Sequence, residues 1–102
     1  MKGFVYVLLN PAFPRFLKIG KTYRNARQRA EELSSHSGLP SPFCVRHIED
    51  CEDCDMVEAV VHKWLEKQRA HDGREFFEVS VELAIETIKK ANRAVNDHKK
   101  SN

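Results

Sequence analysis

The sequence lacks the features of membrane and secreted proteins. It has no apolar run of the roughly 18 residues that a membrane-spanning helix needs, and the apolar stretch at residues 4–9 is too short for the hydrophobic region of a signal peptide. The chain has three cysteines, an odd count that argues against a secreted disulfide scaffold and for reduced thiols. We therefore expect a cytoplasmic protein without membrane contact, whose 102 residues suffice for one domain with a modest core.

Acidic residues are absent from the first 30 positions, which makes the first third of the chain basic. By contrast, residues 49–58 are rich in Asp and Glu and contain no Lys or Arg. A basic segment suits a polyanion such as a nucleic acid, although a solvated surface without a partner has the same composition. The acidic segment leaves a protein-interaction domain open as a further hypothesis. The basic residues of the first third are Lys2, Arg15, Lys18, Lys21, Arg24, Arg27 and Arg29.

Hydrophobic patterning and turn residues predict an α+β fold. Segments that favour strands occur at residues 4–9, 16–19, 43–48 and 75–79. Three helices are expected to follow the capping residues Asn25, Asp53 or Asp55, and Ser80, and to end near Ser35, Asp72 and Asp97. The order β-β-α-β-α-β-α indicates a small, mostly antiparallel sheet flanked by helices. We expect one domain over residues 1–97 and a frayed tail over residues 98–102.

A tyrosine and a lysine lie on the first two predicted strands, close to a glycine. Taken alone, Tyr6 is most simply a half-buried packing residue. Lys18 stands between two apolar residues, so its side chain either reaches solvent or points into a site. Because a nearby ammonium stabilises a phenolate, Lys18 would lower the pKa of Tyr6 from its usual value of about 10. With Arg29, at the edge of the inward face of the first helix, these groups suit chemistry on a phosphate.

Glu58 stands at the border of the apolar stripe of the second predicted helix. A carboxylate there is costly unless it meets a cation. That cation is either Mg²⁺, which takes one or two carboxylates together with phosphate oxygens, or a structural arginine or lysine. His62 follows one turn later. It is a supporting group, a proton donor or a core histidine whose hydrogen bonds are satisfied, and the spacing favours the core histidine. The stripe comprises Met56, Val57, Val60, Val61, Trp64 and Leu65.

Cys44, His47, Cys51 and Cys54 have the residue types of a zinc site, with Cys51-x-x-Cys54 as one knuckle. The pattern has no second CxxC, and Cys44 and His47 would point to opposite faces of a strand. The acidic residues around Cys51 and Cys54 would raise the thiol pKa values and disfavour the thiolate. We therefore do not expect structural zinc, and buried or unreactive thiols are the favoured interpretation.

Five motifs occur in order along the chain. They are Phe4-Val5-Tyr6, then Lys18-Ile19-Gly20-Lys21-Thr22, then Gly38-Leu39-Pro40-Ser41-Pro42-Phe43, then an ExxxH helix from Glu58 to His62, and finally Arg74-Glu75-Phe76-Phe77. Together they resemble the GIY-YIG nuclease superfamily, and most closely a small branch found in phages and bacteria. The resemblance covers about residues 3–90, and an arginine at position 29 matches as well.

The resemblance implies a small sheet flanked by helices and metal-dependent hydrolysis of phosphodiester bonds. It implies that Tyr6 orients or deprotonates the attacking water and that Lys18 favours the Tyr6 phenolate. Arg29 would stabilise charge on the phosphate, and Gly20 would let the backbone approach closely. Glu58 would be the single ligand of Mg²⁺ (or Mn²⁺).

From the residues and the resemblance we predict an endonuclease acting on nucleic acid, on DNA rather than RNA. The predicted catalytic residues are Tyr6, Lys18, Arg29, Glu58 and His62, and the predicted nucleic-acid-binding residues are Lys21, Arg24, Arg27 and Arg74. Arg74 either contacts phosphate or only pairs with Glu75 or Glu78. No appended DNA-reading domain is evident, so sequence specificity would come from loops or from a partner, and pairing of two copies into a homodimer is left open.

The alternative is a non-catalytic nucleic-acid-binding module on the same fold. Its motivation is a departure from the superfamily pattern: the asparagine that many members carry after the metal-binding glutamate has no counterpart in this sequence.

Overall fold

Four antiparallel strands form one sheet within the residues that the computed structural model describes, 1–36, 41–70 and 75–100. Along the chain the elements are β1 (Gly3–Leu9), β2 (Leu17–Thr22), α1 (Ala26–His36), β3 (Cys44–Cys51), α2 (Cys54–Trp64), a 3-10 helix (Glu66–Gln68), β4 (Phe76–Phe77) and α3 (Val81–Lys100). The predicted α+β class and the order β-β-α-β-α-β-α are confirmed, with the 3-10 helix as an addition. No helix among the described residues combines the length and the apolar character needed to cross a membrane.

β1 lies inside the sheet because its residues are apolar on both faces. The strands stand side by side in the order β3-β1-β2-β4. In the pairing of β1 with β2, Tyr6 is opposite Gly20 and Leu8 is opposite Lys18, and in the pairing of β2 with β4, Lys18 is opposite Phe76. Directly opposed residues project to the same face, so these five residues share one face of the sheet.

The two faces of the sheet carry separate apolar cores. On one face α2 and α3 pack through a core that includes Val61 and Ile88. On the other face α1 packs against Tyr6, and Ala30 is one of the α1 residues in this core. Because Tyr6 belongs to the α1 face and Glu58 belongs to α2, a site that contains both has to be formed around an edge of the sheet.

Each long helix begins at a residue whose side chain caps it, as the sequence predicts. Asn25, Asp53 and Ser80 each accept a hydrogen bond from a backbone N–H in the first turn, at 2.8, 3.2 and 3.1 Å. Asp53, rather than Asp55, is the cap of α2. The side chain of Asp55 is therefore available for other contacts.

α2 is shorter and less deeply buried than its apolar stripe predicts. It ends at Trp64, well before the predicted break at Asp72, which lies outside the described residues. Met56 and Trp64 were expected on the buried stripe but are 50% and 51% exposed. They line a groove between α2 and α3, opposite Ala94 and Val95 of α3.

α3 continues further than predicted. It ends at Lys100 rather than near Asp97, and it includes residues that were expected to belong to a frayed tail. Lys99 Nζ lies 2.9 Å from Asp53 Oδ2 at the start of α2. Basic side chains also interact favourably with the carboxyl end of a helix, so this contact supports the last turn of α3.

Candidate active site

The predicted catalytic residues meet where β2 runs past the end of β4. In the pairing with β4, the partners on β2 are Leu17 and Lys18. The residue before β4, Glu75, accepts a backbone hydrogen bond from Ile19 N at 2.9 Å. From Gly20 onwards β2 has no strand on that side among the described residues. Side chains from both faces of the sheet can therefore approach one another at this open edge.

Gly20 leaves the space that the phenol of Tyr6 occupies. A Cβ at position 20 would lie 2.6 Å from Tyr6 Oη, 2.8 Å from Tyr6 Cζ and 3.0 Å from Glu75 Oε1. Tyr6 is only 2% exposed, so its ring cannot turn aside without disturbing the close-packed core under α1. Because Gly20 has no side chain, the phenol oxygen of Tyr6 and a carboxylate oxygen of Glu75 can both lie beside it.

Replacing Gly20 by alanine should displace the Tyr6 ring and destabilise the fold. Overpacking of this kind costs about 1–3 kcal/mol, and we expect the free energy of unfolding, measured by urea denaturation, to fall by about this amount. Gly3→Ala is a matched control, because its Cβ would meet Thr22 O at 2.6 Å and Cys54 Sγ at 2.7 Å. Both variants should lose stability, but only Gly20→Ala should shift the NMR signals of the Tyr6 ring. Unchanged Tyr6 signals in Gly20→Ala would contradict the assigned contact.

The phenol of Tyr6 interacts with the guanidinium of Arg29. Burial raises the pKa of Tyr6 and the negative charge of Glu75 raises it further, whereas Arg29 opposes both effects. Burial alone would lower the pKa of Arg29, but its contacts with Tyr6 and Glu32 raise it. The phenol is therefore protonated at neutral pH. The Arg29 side chain is 41% exposed, so it can also reach a ligand from solvent.

Lys18 does not act on Tyr6 in the way that the sequence predicts. Its side chain is 11% exposed, and its Nζ atom lies 2.8 Å from Glu75 Oε2. The pKa of Tyr6 is raised rather than lowered, because burial is the dominant effect and the ammonium of Lys18 is paired with a carboxylate. The predicted lowering of the Tyr6 pKa by Lys18 is wrong, and Arg29 is the cation that favours the phenolate.

Glu75 belongs to the site, although the sequence predicts it only as a partner for Arg74, which lies outside the described residues. Its Oε2 atom binds Lys18, and its Oε1 atom faces Gly20 and Tyr6. The signal that could have identified it is Lys18 itself. A lysine enclosed between apolar strand residues needs a carboxylate, and Glu75 directly precedes the strand that pairs with it.

Glu58 reaches the same point from α2 and interacts with Glu75. Burial raises the pKa of Glu58 to about 7, the negative charge of Glu75 raises it as well, and Lys21 opposes these effects. Two carboxyl groups in one partly buried place either share a proton or bind a cation. The other partner considered from the sequence is a structural arginine or lysine, but the nearby Lys21 binds Asp55 instead.

The carboxyl pair of Glu58 and Glu75 fits Mg²⁺ or Mn²⁺. Such an ion takes oxygen ligands, commonly one or two carboxylates with water and phosphate oxygens completing the set. In the described parts of the chain no group of three or more His, Cys, Asp or Glu side chains could hold a metal ion. The remaining ligands would therefore have to come from water and from the substrate.

His62 lies one helical turn after Glu58 and contacts the backbone of β2. Its Nε2 atom donates a hydrogen bond to the carbonyl oxygen of Ile19 at 2.8 Å, and its ring lies 5.0 Å from the ring of Phe77. Burial lowers the pKa of His62, so the ring is neutral at neutral pH. This environment is that of a core histidine with a satisfied hydrogen bond, and it fixes the strand segment that leads into Gly20.

A basic cavity adjoins the site through Arg29. Its volume is about 350 Å³, and Lys21, Arg24 and Arg29 supply its charges beside Thr22 and Tyr23. Two predicted nucleic-acid-binding residues, Lys21 and Arg24, thus line the same cavity as the predicted catalytic residue Arg29.

The other predicted nucleic-acid-binding residues do not line this cavity. Arg27 is exposed on α1, and Arg74 lies outside the described residues. Within the cavity Lys21 is held by Asp55, which also accepts the hydroxyl hydrogen of Tyr23. These contacts lower the pKa of Asp55 to about 2 and raise the pKa of Lys21.

Glu49, Asp53 and Asp55 of the acidic segment bind cations within the chain. Lys99 and the N-terminal ammonium bind Asp53 and lower its pKa well below the ordinary range. Lys89 Nζ lies 3.7 Å from Glu49 Oε1, and Asp55 binds Lys21 and Tyr23. These internal partners argue against a protein-interaction surface built on the negative charge of residues 49–58.

The cysteines differ in burial. Cys51 and Cys54 are buried, whereas Cys44 is exposed. Burial raises the pKa of Cys51 to about 12 and also raises the pKa of Cys54. His47, the fourth residue of the zinc-like pattern, binds Glu49 through Nε2 at 2.7 Å. The two buried thiols are therefore protonated at neutral pH.

Comparison with known families corrects the family predicted from the motifs. The family model that matches residues 3–92 is that of the T5orf172 domain. The predicted membership in the GIY-YIG superfamily is wrong, because no clear match to that family is found. No curated protein and no solved structure matches the chain. The T5orf172 domain is phage-associated and is linked with nuclease-like and DNA-binding functions. Since the match extends over most of the sequence, the chain belongs to the T5orf172 domain family.

Proposed function

We propose that this protein is a metal-dependent endonuclease that hydrolyses phosphodiester bonds of nucleic acid, preferably of DNA. The observation that carries the proposal is the convergence at Gly20 of a phenol from β1, a guanidinium from α1, a carboxyl group from α2 and a second carboxyl group from the residue before β4. The association of the family with nuclease-like and DNA-binding functions supports it independently.

Tyr6 and Arg29 are suited to handle the attacking water and the phosphate. Because the pKa of Tyr6 is raised, the neutral phenol positions the water by hydrogen bonding and does not act as a resting phenolate. Arg29 contacts the phenol and also lines the basic cavity. It can therefore bind the scissile phosphate and offset the charge that develops in the transition state, an effect commonly worth a few kcal/mol.

Glu58 and Glu75 would hold the metal ion. When bound there, Mg²⁺ or Mn²⁺ would polarise the phosphate and stabilise the leaving oxygen. Metal binding requires the carboxylate form, and the pKa of Glu58 is about 7, so metal affinity should fall below neutral pH. Lys18 holds Glu75 in position through the 2.8 Å contact, a role that differs from the one predicted for it.

The basic cavity would hold the flanking backbone. Lys21 and Arg24 lie beside Arg29 in this cavity, and phosphate contacts of this kind fix the register of a nucleic acid with little base preference. Arg27 and Arg74 remain predicted contacts for phosphates further along the substrate.

The proposal is tested with supercoiled plasmid and end-labelled DNA and RNA oligonucleotides, incubated with Mg²⁺ or Mn²⁺ and, in parallel, with EDTA. We expect nicked or linear plasmid and shortened DNA with either metal and intact substrate with EDTA. DNA and RNA that both stay intact under all metal conditions would refute the nuclease, and cleavage of RNA alone would refute the preference for DNA.

A non-catalytic nucleic-acid-binding module is the second candidate. The observation in its favour is the basic cavity, which can bind phosphate without either carboxyl group. A gel shift that weakens as salt is raised, with no cleavage under any metal condition, would favour this candidate over the nuclease.

A further inference from the structure

An aromatic pocket lies near the proposed reaction centre, on the far side of Lys18. Its volume is about 220 Å³, and Phe13, Phe16, Ala70 and Phe76 line it. The rings of Phe13 and Phe76 meet edge to face with their centroids 6.3 Å apart. None of the three phenylalanines is fully buried, so the pocket presents aromatic surface to solvent.

One side chain connects this pocket to the proposed reaction centre. Lys18 Nζ lies 5.1 Å from the centroid of the Phe76 ring and 2.8 Å from Glu75 Oε2. The other oxygen of Glu75 faces Gly20 and Tyr6. A substrate with its phosphate at the reaction centre would thus place an adjacent nucleotide within reach of the pocket.

The rim of the pocket carries a cation that complements a phosphate backbone. The guanidinium of Arg15 lies 5.6 Å from the centroid of the Phe16 ring. The facing carboxylates are Glu75, which binds Lys18, and Glu78, which binds Arg15 at 2.8 Å. Arg15 and Glu78 are 72% and 52% exposed, and such surface pairs contribute little, so a phosphate can compete for Arg15.

We propose that this aromatic pocket binds an unpaired nucleobase next to the scissile phosphate, which makes single-stranded segments the preferred substrate. The inference rests on the proposed function and specifies its substrate class. A volume of 220 Å³ is smaller than the roughly 300 Å³ or more of drug-sized ligand pockets, and it suits one ring system. Every base can stack on an aromatic ring, whereas a base inside a duplex must first leave its stack.

The test measures binding in EDTA, where no cleavage interferes. Fluorescence anisotropy compares a labelled single-stranded DNA with a blunt duplex for the wild type, Phe16→Leu and Trp64→Leu. Stacking of one base corresponds to roughly 5- to 150-fold in affinity. We expect Phe16→Leu to weaken single-strand binding by a factor in this range and to leave duplex binding within about twofold. Trp64→Leu removes an exposed aromatic ring from the groove between α2 and α3 and should change neither affinity.

An abasic oligonucleotide of the same length provides a measurement that does not depend on any variant folding. It keeps the phosphates and lacks the bases, so the wild type should bind it more weakly by a similar factor, and Phe16→Leu should no longer distinguish the two oligonucleotides. Equal affinity of the wild type for both oligonucleotides would overturn the inference, as would an equal loss of single-strand and duplex binding in Phe16→Leu.

A cleavage assay with Mg²⁺ separates failure of this inference from failure of the proposed function. If the wild type cleaves no substrate, the nuclease proposal fails, whereas the binding measurements still decide whether the pocket takes a base. Cleavage of blunt duplex at the same rate as single strands would overturn the substrate preference and leave the nuclease proposal standing.

Discussion

Replacing Glu58 by glutamine should abolish metal-dependent cleavage and, above pH 7, make the fold more stable. Glutamine preserves the shape of the side chain and its contact with Glu75, but it removes the negative charge that a metal ion requires. Metal ions commonly supply several kcal/mol of transition-state stabilisation, so we expect the cleavage rate to fall by at least about a hundredfold.

The expected gain in stability follows from the raised pKa of Glu58. Its pKa is about 7 in the folded protein against an ordinary value of 4.5, so between these values the folded state holds more protons than the unfolded state. The free energy of unfolding therefore falls as pH rises from about 4.5 to about 7, and the whole deficit is present above that range. Because the group keeps partial contact with solvent, we discount the deficit to about 1–2 kcal/mol.

Urea denaturation in EDTA at pH values of about 5 and 8 measures this deficit. Glu58→Gln should be close to the wild type at the lower pH and more stable than the wild type at the higher pH. Glu86→Gln is a matched control, because Glu86 lies on α3 and pairs with Lys90 at 3.1 Å on the surface. It should retain cleavage and the pH dependence of the wild type. A Glu58→Gln variant that cleaves at the wild-type rate would remove Glu58 from the proposed metal site.

Elements and caps could be predicted from the sequence because their causes are local. The helix starts at Asn25 and Ser80 depend on one side chain and the next turn of backbone. The strand that contains Tyr6 is marked by its own apolar composition. For the same reason, the short motifs around Tyr6, Gly20 and Glu58 indicated which residues would come together, even though the family inferred from these motifs had to be corrected.

The pairings that complete the site could not be predicted because they depend on sheet register. Lys18 and Glu75 are 57 positions apart, and they meet only because Lys18 is opposite Phe76 across β2 and β4. Without that pairing, the sequence predicts that Lys18 acts on Tyr6. The exposure of Trp64 also depends on tertiary packing, since a helical stripe does not show which of its residues the neighbouring helix covers.

Replacing Tyr6 by phenylalanine should slow cleavage strongly while leaving the fold largely intact. The ring keeps its place over Gly20, and only the hydroxyl that contacts Arg29 is lost. Loss of one hydrogen bond costs about 1 kcal/mol in stability. Loss of the group that positions the water should cost about a hundredfold or more in rate. Tyr23→Phe is a matched control, because it also removes a phenol hydroxyl. The Tyr23 hydroxyl binds Asp55 at the rim of the basic cavity. Tyr23→Phe should raise KM a few-fold with little effect on kcat.

The pH dependence of the Tyr6→Phe variant distinguishes a positioning phenol from a phenolate base. Since burial raises the pKa of Tyr6, a neutral phenol is present throughout the range in which Glu58 ionises, near pH 7. We therefore expect the wild-type rate to rise with pH up to about 7 and then to level off, and we expect Tyr6→Phe to show the same profile at a lower rate. If Tyr6 acted as a base, the wild-type rate would continue to rise about tenfold per pH unit above 7, and the variant would lose this rise. A continued rise of that kind would mean that substrate or metal binding brings a cation close enough to the phenol to outweigh its burial.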